Sequence, residues 1–251
     1  MSHIYLHGGG DNEASRQDTF GRFATAAMSK ADSKLALLIA AAEEADAQES
    51  WQAYRHIFTA VHVPEKNLVP LFATATQPLT AEMLAQVNPS GLFVCGGMTP
   101  YYHQAICADL SWLAYLRESD IPYGGTSAGA AVAATNAILG GWQATRQEQS
   151  REMLFSGAGE GIDPLTVRPG LALVPFAVDV HASQMGTLTR LIHAVELGLV
   201  AEGWAIDENT MLVVNGRQLQ IFGQGHCYRV WREVDRVVKL SIHIATEMIK
   251  R

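Results

Sequence analysis

The chain of 251 residues is 48% hydrophobic and carries a formal net charge of −7 at pH 7. This apolar content is ample for the buried core of one domain spanning residues 1–251. An acidic chain with no run of Lys and Arg lacks the clustered cations that bind phosphates, so we expect no nucleic-acid partner.

Targeting and redox features also narrow the possibilities. The opening "MSHIYLHGGG" reaches glycines too early for a signal-peptide core, and no apolar run approaches the ~20 residues of a membrane span. The three cysteines, Cys95, Cys107 and Cys227, have no metal-like spacing. We therefore expect a cytoplasmic protein with reduced thiols, no metal, no cofactor and no membrane partner.

Strand-like and helical segments alternate through the first half of the chain. Continuous apolar runs predict strands at "HIYLH", "KLALLIA", "NLVPLFATA", "GLFVCGG" and "IPYGGTS". Amphipathic segments between them predict helices, including one from about Glu13 to Lys30 and a single one over "TPYYHQAICADLSWLAYLRES". This alternation is typical of an α/β fold whose mainly parallel sheet has helices on both faces.

The second half of the chain is less regular. The segment after Gly141 is polar and contains glycines, which predicts a long loop that could frame a substrate. "LALVPFAVDVH" predicts another strand and "TLTRLIHAVELGL" a helix. "MLVVNGRQLQIFG" predicts a C-terminal β-hairpin that turns at Asn215-Gly216. A second copy of the chain could cover the exposed edge of this hairpin, which would make a homodimer.

A serine follows the strand predicted at "IPYGGTS". Gly125-Thr126-Ser127-Ala128-Gly129 matches the G-x-S-x-G nucleophile elbow, a tight turn that exposes the serine hydroxyl and aims the next amide, that of Ala128, at the same space. The alternative is a helix start built from small packing residues. A nucleophilic serine needs a base, and of the nine histidines His181 stands at the end of a predicted strand, whereas His56 and His193 lie within predicted helices.

Four stretches, in order, make the sequence recognisable: "FVCGGMT", "YGGTSAGAAV", "DVHASQMGTLTRL" and "GWAIDENTMLVV". Together, from about Gly91 to Val214, they resemble the peptidase E and cyanophycinase family of serine peptidases. The resemblance implies a fold similar to class I glutamine amidotransferases, with Ser127 as nucleophile where those enzymes carry a cysteine, and His181 as base. It also implies that the amide of Gly97, with Gly96 beside it, completes an oxyanion hole.

The substrate residues depart from the pattern of this family. Cyanophycinases carry a glutamine at the position of Val180 and arginines at those of Met185 and Thr187. Only Arg190 remains, as a candidate substrate-binding residue, and this loss weakens cyanophycin as the substrate. Met98 stands where the dipeptidase branch has an asparagine, which weakens strict specificity for aspartyl dipeptides.

The carboxylates are harder to assign. Asp179 faces the same side of its strand as His181, so it is either a substrate or supporting residue or a carboxylate that caps nearby amides. For the acid that orients the histidine, counting back from His181 favours Glu160 and counting forward from the serine favours Glu148; we expect Glu160. "AIDENT", from Ala205 to Thr210, could be a turn entering a strand and receives no chemical role.

Two other classes of protein compete with a peptidase. "HGGG" at His7 to Gly10 is similar to the oxyanion motif of α/β-hydrolase esterases, but their histidine lies close to the C-terminus, unlike His181. A non-catalytic binding domain could keep the elbow for structural reasons. The sequence favours a cytoplasmic serine peptidase that acts on small peptides, with "HGGG" as a glycine-rich first turn near the site.

Overall fold

The computed structural model describes residues 3–30, 32–234, 237–245 and 248–250. In this part of the chain the strands are β1 (Ile4–His7), β2 (Leu35–Ala40), β3 (Leu68–Ala73), β4 (Gly91–Val94), β5 (Tyr123–Thr126), β6 (Asn136–Gly140), β7 (Gln143–Arg146), β8 (Gln149–Glu152), β9 (Thr166–Pro169), β10 (Ala177–Val180), β11 (Glu202–Ile206), β12 (Thr210–Asn215), β13 (Gln218–Gly223), β14 (His226–Arg232), β15 (Val238–Ile244) and β16 (Met248–Lys250). The α-helices are α1 (Glu13–Arg16), α2 (Phe20–Ala27), α3 (Glu44–Ala60), α4 (Ala81–Val87), α5 (Thr99–Ile106), α6 (Ser111–Glu118), α7 (Ala128–Ala131) and α8 (Leu188–Glu196).

The larger sheet contains the strands predicted for the first half of the chain. Its order is β16-β13-β12-β1-β5-β4-β2-β3. Strands β1 to β5 are mutually parallel, whereas β12, β13 and β16 extend the sheet with antiparallel pairs. Every residue of β2 is buried, as expected for a parallel strand inside an α/β fold. An α/β fold with a large, mainly parallel sheet is therefore confirmed.

An aromatic cluster fixes two helices against this sheet. Phe93 of β4 contacts Phe20 and Phe23 of α2 and Phe58 of α3, with ring centroids 5.7, 5.1 and 5.0 Å from its own. All four side chains are buried. Because each ring removes a large apolar area from water, the cluster holds the position of α3, which carries part of the candidate site.

Two segments predicted as single helices are each divided. The segment predicted from Glu13 to Lys30 forms α1 and α2, and the Thr19 hydroxyl between them donates to the carbonyl of Ser15 at 3.0 Å. Between α5 and α6, the carboxylate of Asp109 accepts bonds from the amide and the hydroxyl of Ser111 at 2.8 and 2.9 Å. Short polar side chains that bond to the local backbone in this way compete with a continuous helix.

The second half of the chain contains more strand than predicted. A separate sheet has the order β10-β11-β14-β15, in which β10 and β11 are parallel. The segment after Gly141 is not a long loop, because β7 and β8 pair as a hairpin. Its turn residues, Gln147 and Glu148, have positive φ of 49° and 65°. Glycine and asparagine are usual at such positions, so the sequence gives no sign of this turn.

A second hairpin joins β12 and β13. Asn215 pairs with Gln218, so Gly216 and Arg217 form the turn. Strand β16 then pairs with β13 from Gln218 to Gln220, so the outer edge of this hairpin is paired within the chain at these residues. The homodimer suggested by a free hairpin edge stays a prediction. Within the described ranges, no helix has both the length and the apolar character needed to cross a bilayer.

The carboxyl ends of four strands meet at one place. Strands β1 and β5 are parallel neighbours in the larger sheet, and β10 and β11 are parallel neighbours in the smaller one. The chain leaves β11 through Asp207 to Asn209 and enters β12, which lies beside β1. Ligands of open α/β sheets bind outside the carboxyl ends of the strands, so this junction is where a site is expected.

Candidate active site

Ser127 occupies a strained turn between β5 and α7. Its backbone has φ 51° and ψ −116°, a conformation that costs a non-glycine residue of order 1–3 kcal/mol. The two flanking glycines are required by space, because a Cβ on Gly125 would lie 2.3 Å from the carbonyl oxygen of Gly129, and one on Gly129 would lie 2.2 Å from that of Val94. The local structure is therefore a tight strand-to-helix turn, which is the backbone geometry that a nucleophile elbow requires.

A chain of hydrogen bonds leads away from the serine hydroxyl. Ser127 Oγ lies 2.9 Å from His181 Nε2, and His181 Nδ1 lies 2.7 Å from Glu208 Oε1. A carboxylate can only accept, so Nδ1 carries the proton of a neutral imidazole and Nε2 is left to accept from the serine. The side chains of His181 and Glu208 are 16% and 26% exposed, so the pair is partly shielded from water but reachable from it.

The glycine-rich turn after β1 holds the backbone of the serine, of the histidine and of the segment that carries Glu208. The amide of Ser127 donates to the carbonyl of His7 at 3.0 Å, and that of His181 donates to the carbonyl of Gly8 at 2.9 Å. The amide of Asn209, which follows Glu208, donates to the carbonyl of Gly9 at 2.7 Å. The "HGGG" stretch thus supplies acceptors for the backbone of the site, whereas an esterase oxyanion motif would supply donors.

Close approach explains the glycines in this turn. A Cβ on Gly9 would lie 2.1 Å from Cε1 of the His181 ring, and Gly9 has a φ of 102°. A Cβ on Gly8 would lie 2.1 Å from the carbonyl oxygen of Asp207. A side chain at either position would push the histidine or the turn that carries Glu208 out of place.

His7 is the buried last residue of β1 and begins the same turn. Its Nδ1 lies 2.9 Å from Thr126 Oγ1 and accepts from the amide of Gly9 at 3.3 Å. Burial, together with the nearby His181, lowers the pKa of His7 from 6.5 to about 3. The ring is therefore neutral at pH 7, and its Nε2 has no hydrogen-bond partner among the described residues.

A cavity of about 470 Å³ opens beside Ser127. Its wall combines the glycine turns and the catalytic candidates with one face of α3. In the described chain, the amides of Gly97 and Ala128 donate no hydrogen bond to protein, whereas the amide of Gly96 donates to the hydroxyl of Tyr54 at 2.8 Å. Gly97 lies in the cavity wall and Ala128 follows the serine, so both amides are candidates to bind a ligand oxygen.

Two solved structures resemble this chain over 90% or more of its length. A peptidase from an acI-B1 Actinobacterium matches with a TM-score of 0.63 at 16% identity, over 100% of this chain and 97% of its own. A candidate peptidase E from Listeria monocytogenes EGD-e matches with a TM-score of 0.52 at 15% identity, over 90% of this chain and 100% of its own. The chain has the fold of these two proteins. No protein-family model matches the sequence, and no curated protein matches it.

The acid beside His181 is not the one expected from the sequence. Glu160 instead accepts a hydrogen bond from the amide of Thr99 at 2.9 Å, at the first turn of α5. Burial raises the pKa of Glu160, and the Thr99 amide and Arg190 partly offset that rise. The alternative, Glu148, lies in the exposed turn between β7 and β8. The carboxylate that contacts the histidine is therefore that of Glu208, and the expectation of Glu160 is wrong.

Asp179 and Arg190 do not line the cavity. Their side chains are 1% and 5% exposed and form a two-point ion pair, with N–O distances of 2.6 and 2.9 Å. Asp179 also accepts from the amide of Val180, and Arg190 donates to the carbonyl of Ala158 at 2.7 Å. The pair ties β10 and α8 to the segment that carries Glu160. For Asp179 this agrees with the capping and supporting role that the sequence also allowed, whereas for Arg190 it is a structural role in place of the expected substrate contact.

Side-chain hydrogen bonds hold the turn that carries Glu208. Its amide donates to Gln184 Oε1 at 3.0 Å. The buried carboxylate of the preceding residue, Asp207, accepts from the amides of Ser183 and His226 at 2.9 Å each. The only sequence signal for Glu208 was its place in "AIDENT", one of the stretches that carried the family resemblance.

Proposed function

We propose that this protein is a serine peptidase of the peptidase E and cyanophycinase type, with a class I glutamine amidotransferase-like domain over residues 1–251. The hydrogen-bonded series Ser127, His181 and Glu208 at a strained elbow carries this proposal. The shared fold with the two peptidase structures supports it. The expected location is the cytoplasm, and the three cysteines are free thiols in the structure.

The proposed reaction is acyl transfer through the serine. Ser127 Oγ attacks the peptide carbonyl carbon while His181 Nε2 takes the hydroxyl proton, and Glu208 stabilises the resulting imidazolium. The amides of Gly97 and Ala128 hold the oxygen that becomes negative. The C–N bond then breaks, His181 passes its proton to the leaving amine, and water hydrolyses the acyl-enzyme by the same steps.

Small peptides are the proposed substrates. The cavity has a volume of about 470 Å³. The two positions where cyanophycinases carry arginine hold Met185, which is exposed, and Thr187, which is buried with its hydroxyl bonded to the carbonyl of Val180. The β7–β8 hairpin, predicted as a loop that frames the substrate, contributes no residue to the cavity wall among those described. A panel of dipeptides and tripeptides, assayed beside cyanophycin, should show cleavage of the short peptides and little release from the polymer.

A fluorophosphonate tests the nucleophile directly. We expect labelling at Ser127, and Ser127→Ala should abolish labelling and lower turnover by about 10³-fold or more, with the fold retained. An α/β-hydrolase-type esterase would also be labelled but would turn over esters and spare peptides. Absence of labelling in a folded sample would favour a non-catalytic binding domain.

A further inference from the structure

Tyr54 places a hydroxyl group beside the candidate nucleophile. It lies on the face of α3 that lines the cavity, together with Ser50 and Ile57, which are four and three residues away and so share one helix face with it. Its oxygen accepts the amide of Gly96 at 2.8 Å. Tyr54 is therefore anchored to the loop that also supplies the amide of Gly97.

The hydroxyl of Tyr54 donates no hydrogen bond to the described part of the protein. The oxygen already accepts from Gly96, and none of the described residues accepts a hydrogen bond from Tyr54. Burial raises the pKa of Tyr54 well above its ordinary value, so the phenol stays protonated at neutral pH. Because Tyr54 lies in the cavity wall and has no acceptor among the described residues, its hydroxyl can donate to a ligand or to water in the cavity.

The hydroxyl and the serine flank the same side of Gly96. A Cβ built on Gly96 would lie 2.9 Å from Tyr54 Oη and 3.1 Å from Ser127 Cβ. The carbonyl of Gly96 is fixed from the other side by the hydroxyl of Tyr102, which donates to it at 3.0 Å. The two tyrosines thus fix both peptide planes at Gly96, and with them the direction of the Gly97 amide.

We propose that Tyr54 is a further catalytic residue, whose hydroxyl donates a hydrogen bond to the substrate oxygen that becomes negative when Ser127 attacks. This inference rests on the proposed function. The amide of Gly96 acts through Tyr54, because a hydroxyl that accepts one hydrogen bond becomes a stronger donor of the next. The oxyanion then has three donors, the two amides of Gly97 and Ala128 and one phenol.

The test is the rate of fluorophosphonate labelling, since attack by Ser127 forms an O–P bond, releases fluoride and places the phosphoryl oxygen where the oxyanion would lie. Tyr54→Phe should slow labelling and lower kcat by about 10²-fold with KM little changed, as for loss of one oxyanion donor. The matched control is Tyr115→Phe. Tyr115 lies on α6 and its hydroxyl donates to Asn88, so the variant also loses one phenol hydroxyl and should be labelled at the wild-type rate.

The outcomes separate this inference from the proposed function. If wild-type protein is not labelled at Ser127, the proposed function is wrong. If it is labelled and folded Tyr54→Phe labels equally fast, only the role of Tyr54 is wrong. Should Tyr54→Phe not fold, 3-fluorotyrosine at position 54 keeps the shape and strengthens the donor. Labelling should then be faster than in wild type, and an unchanged rate would overturn the inference.

Discussion

Replacing His7 with asparagine should flatten the acid dependence of stability. The folded protein holds the pKa of His7 at about 3, against 6.5 when the chain is unfolded. Between these pH values His7 is protonated in the unfolded chain and neutral in the folded protein. Its contribution to the free energy of unfolding is therefore fully present above pH 6.5 and is lost as the pH falls towards 3. For this single group, linkage gives a loss of about 2.5 kcal/mol between pH 7 and about pH 4.5.

Urea unfolding at a series of pH values measures this slope. His7→Asn keeps an acceptor near the position of Nδ1 for Thr126 and the amide of Gly9, and it removes the titrating group. The variant should be less stable at neutral pH and lose about 2.5 kcal/mol less than wild type between pH 7 and about pH 4.5. His56→Asn, at an exposed histidine of α3, is the control and should keep the wild-type slope. An unchanged slope in His7→Asn would refute the reasoning.

Three further substitutions test the site and its support. Glu208→Gln should lower peptide turnover by about 10²- to 10⁴-fold, while Glu160→Gln stays far milder; the reverse order in steady-state kinetics would restore the sequence-based assignment. Gly9→Ala puts a methyl group where the histidine ring lies, so labelling by fluorophosphonate should fall by about 10²-fold, and a normal rate would mean that the turn can move aside. Arg190→Met leaves the buried carboxylate of Asp179 unpaired and should cost about 3–5 kcal/mol in urea unfolding; a loss below about 1 kcal/mol would show that the pair is dispensable.

The parts of the site that depend on local sequence could be predicted. The tight turn at Ser127 needs glycines at two fixed positions, and both are present in the five consecutive residues from Gly125 to Gly129. His181 could be found because a polar residue at the end of an apolar strand faces the sheet edge where ligands bind. The structure brings these two residues to hydrogen-bonding distance.

Glu208 and Tyr54 could not be found in this way, because each depends on how distant elements dock. Glu208 reaches the histidine from the connection between β11 and β12, which joins two sheets, and the sequence pattern predicts no strand at β11. Tyr54 contacts Gly96 only because α3 packs on β4 through aromatic side chains. Counting residues along the chain led to Glu160, which is close to the site but bonded to α5.

The three carbonyls of His7, Gly8 and Gly9 also impose an order on folding. They lie at the end of β1 and in the turn that follows it, and β1 pairs with β5 and β12, so the residues that bond to them are synthesised long after them. Such distant pairings form slowly and only after the intervening chain is available. While the protein is being synthesised, β1 is at first unpaired. Until β5 and β12 pair with it, the backbones of the serine, the histidine and the segment that carries the glutamate cannot all bond to the same turn. The growing chain is therefore expected to acquire the proposed activity only after β12 has emerged from the ribosome and joined the sheet.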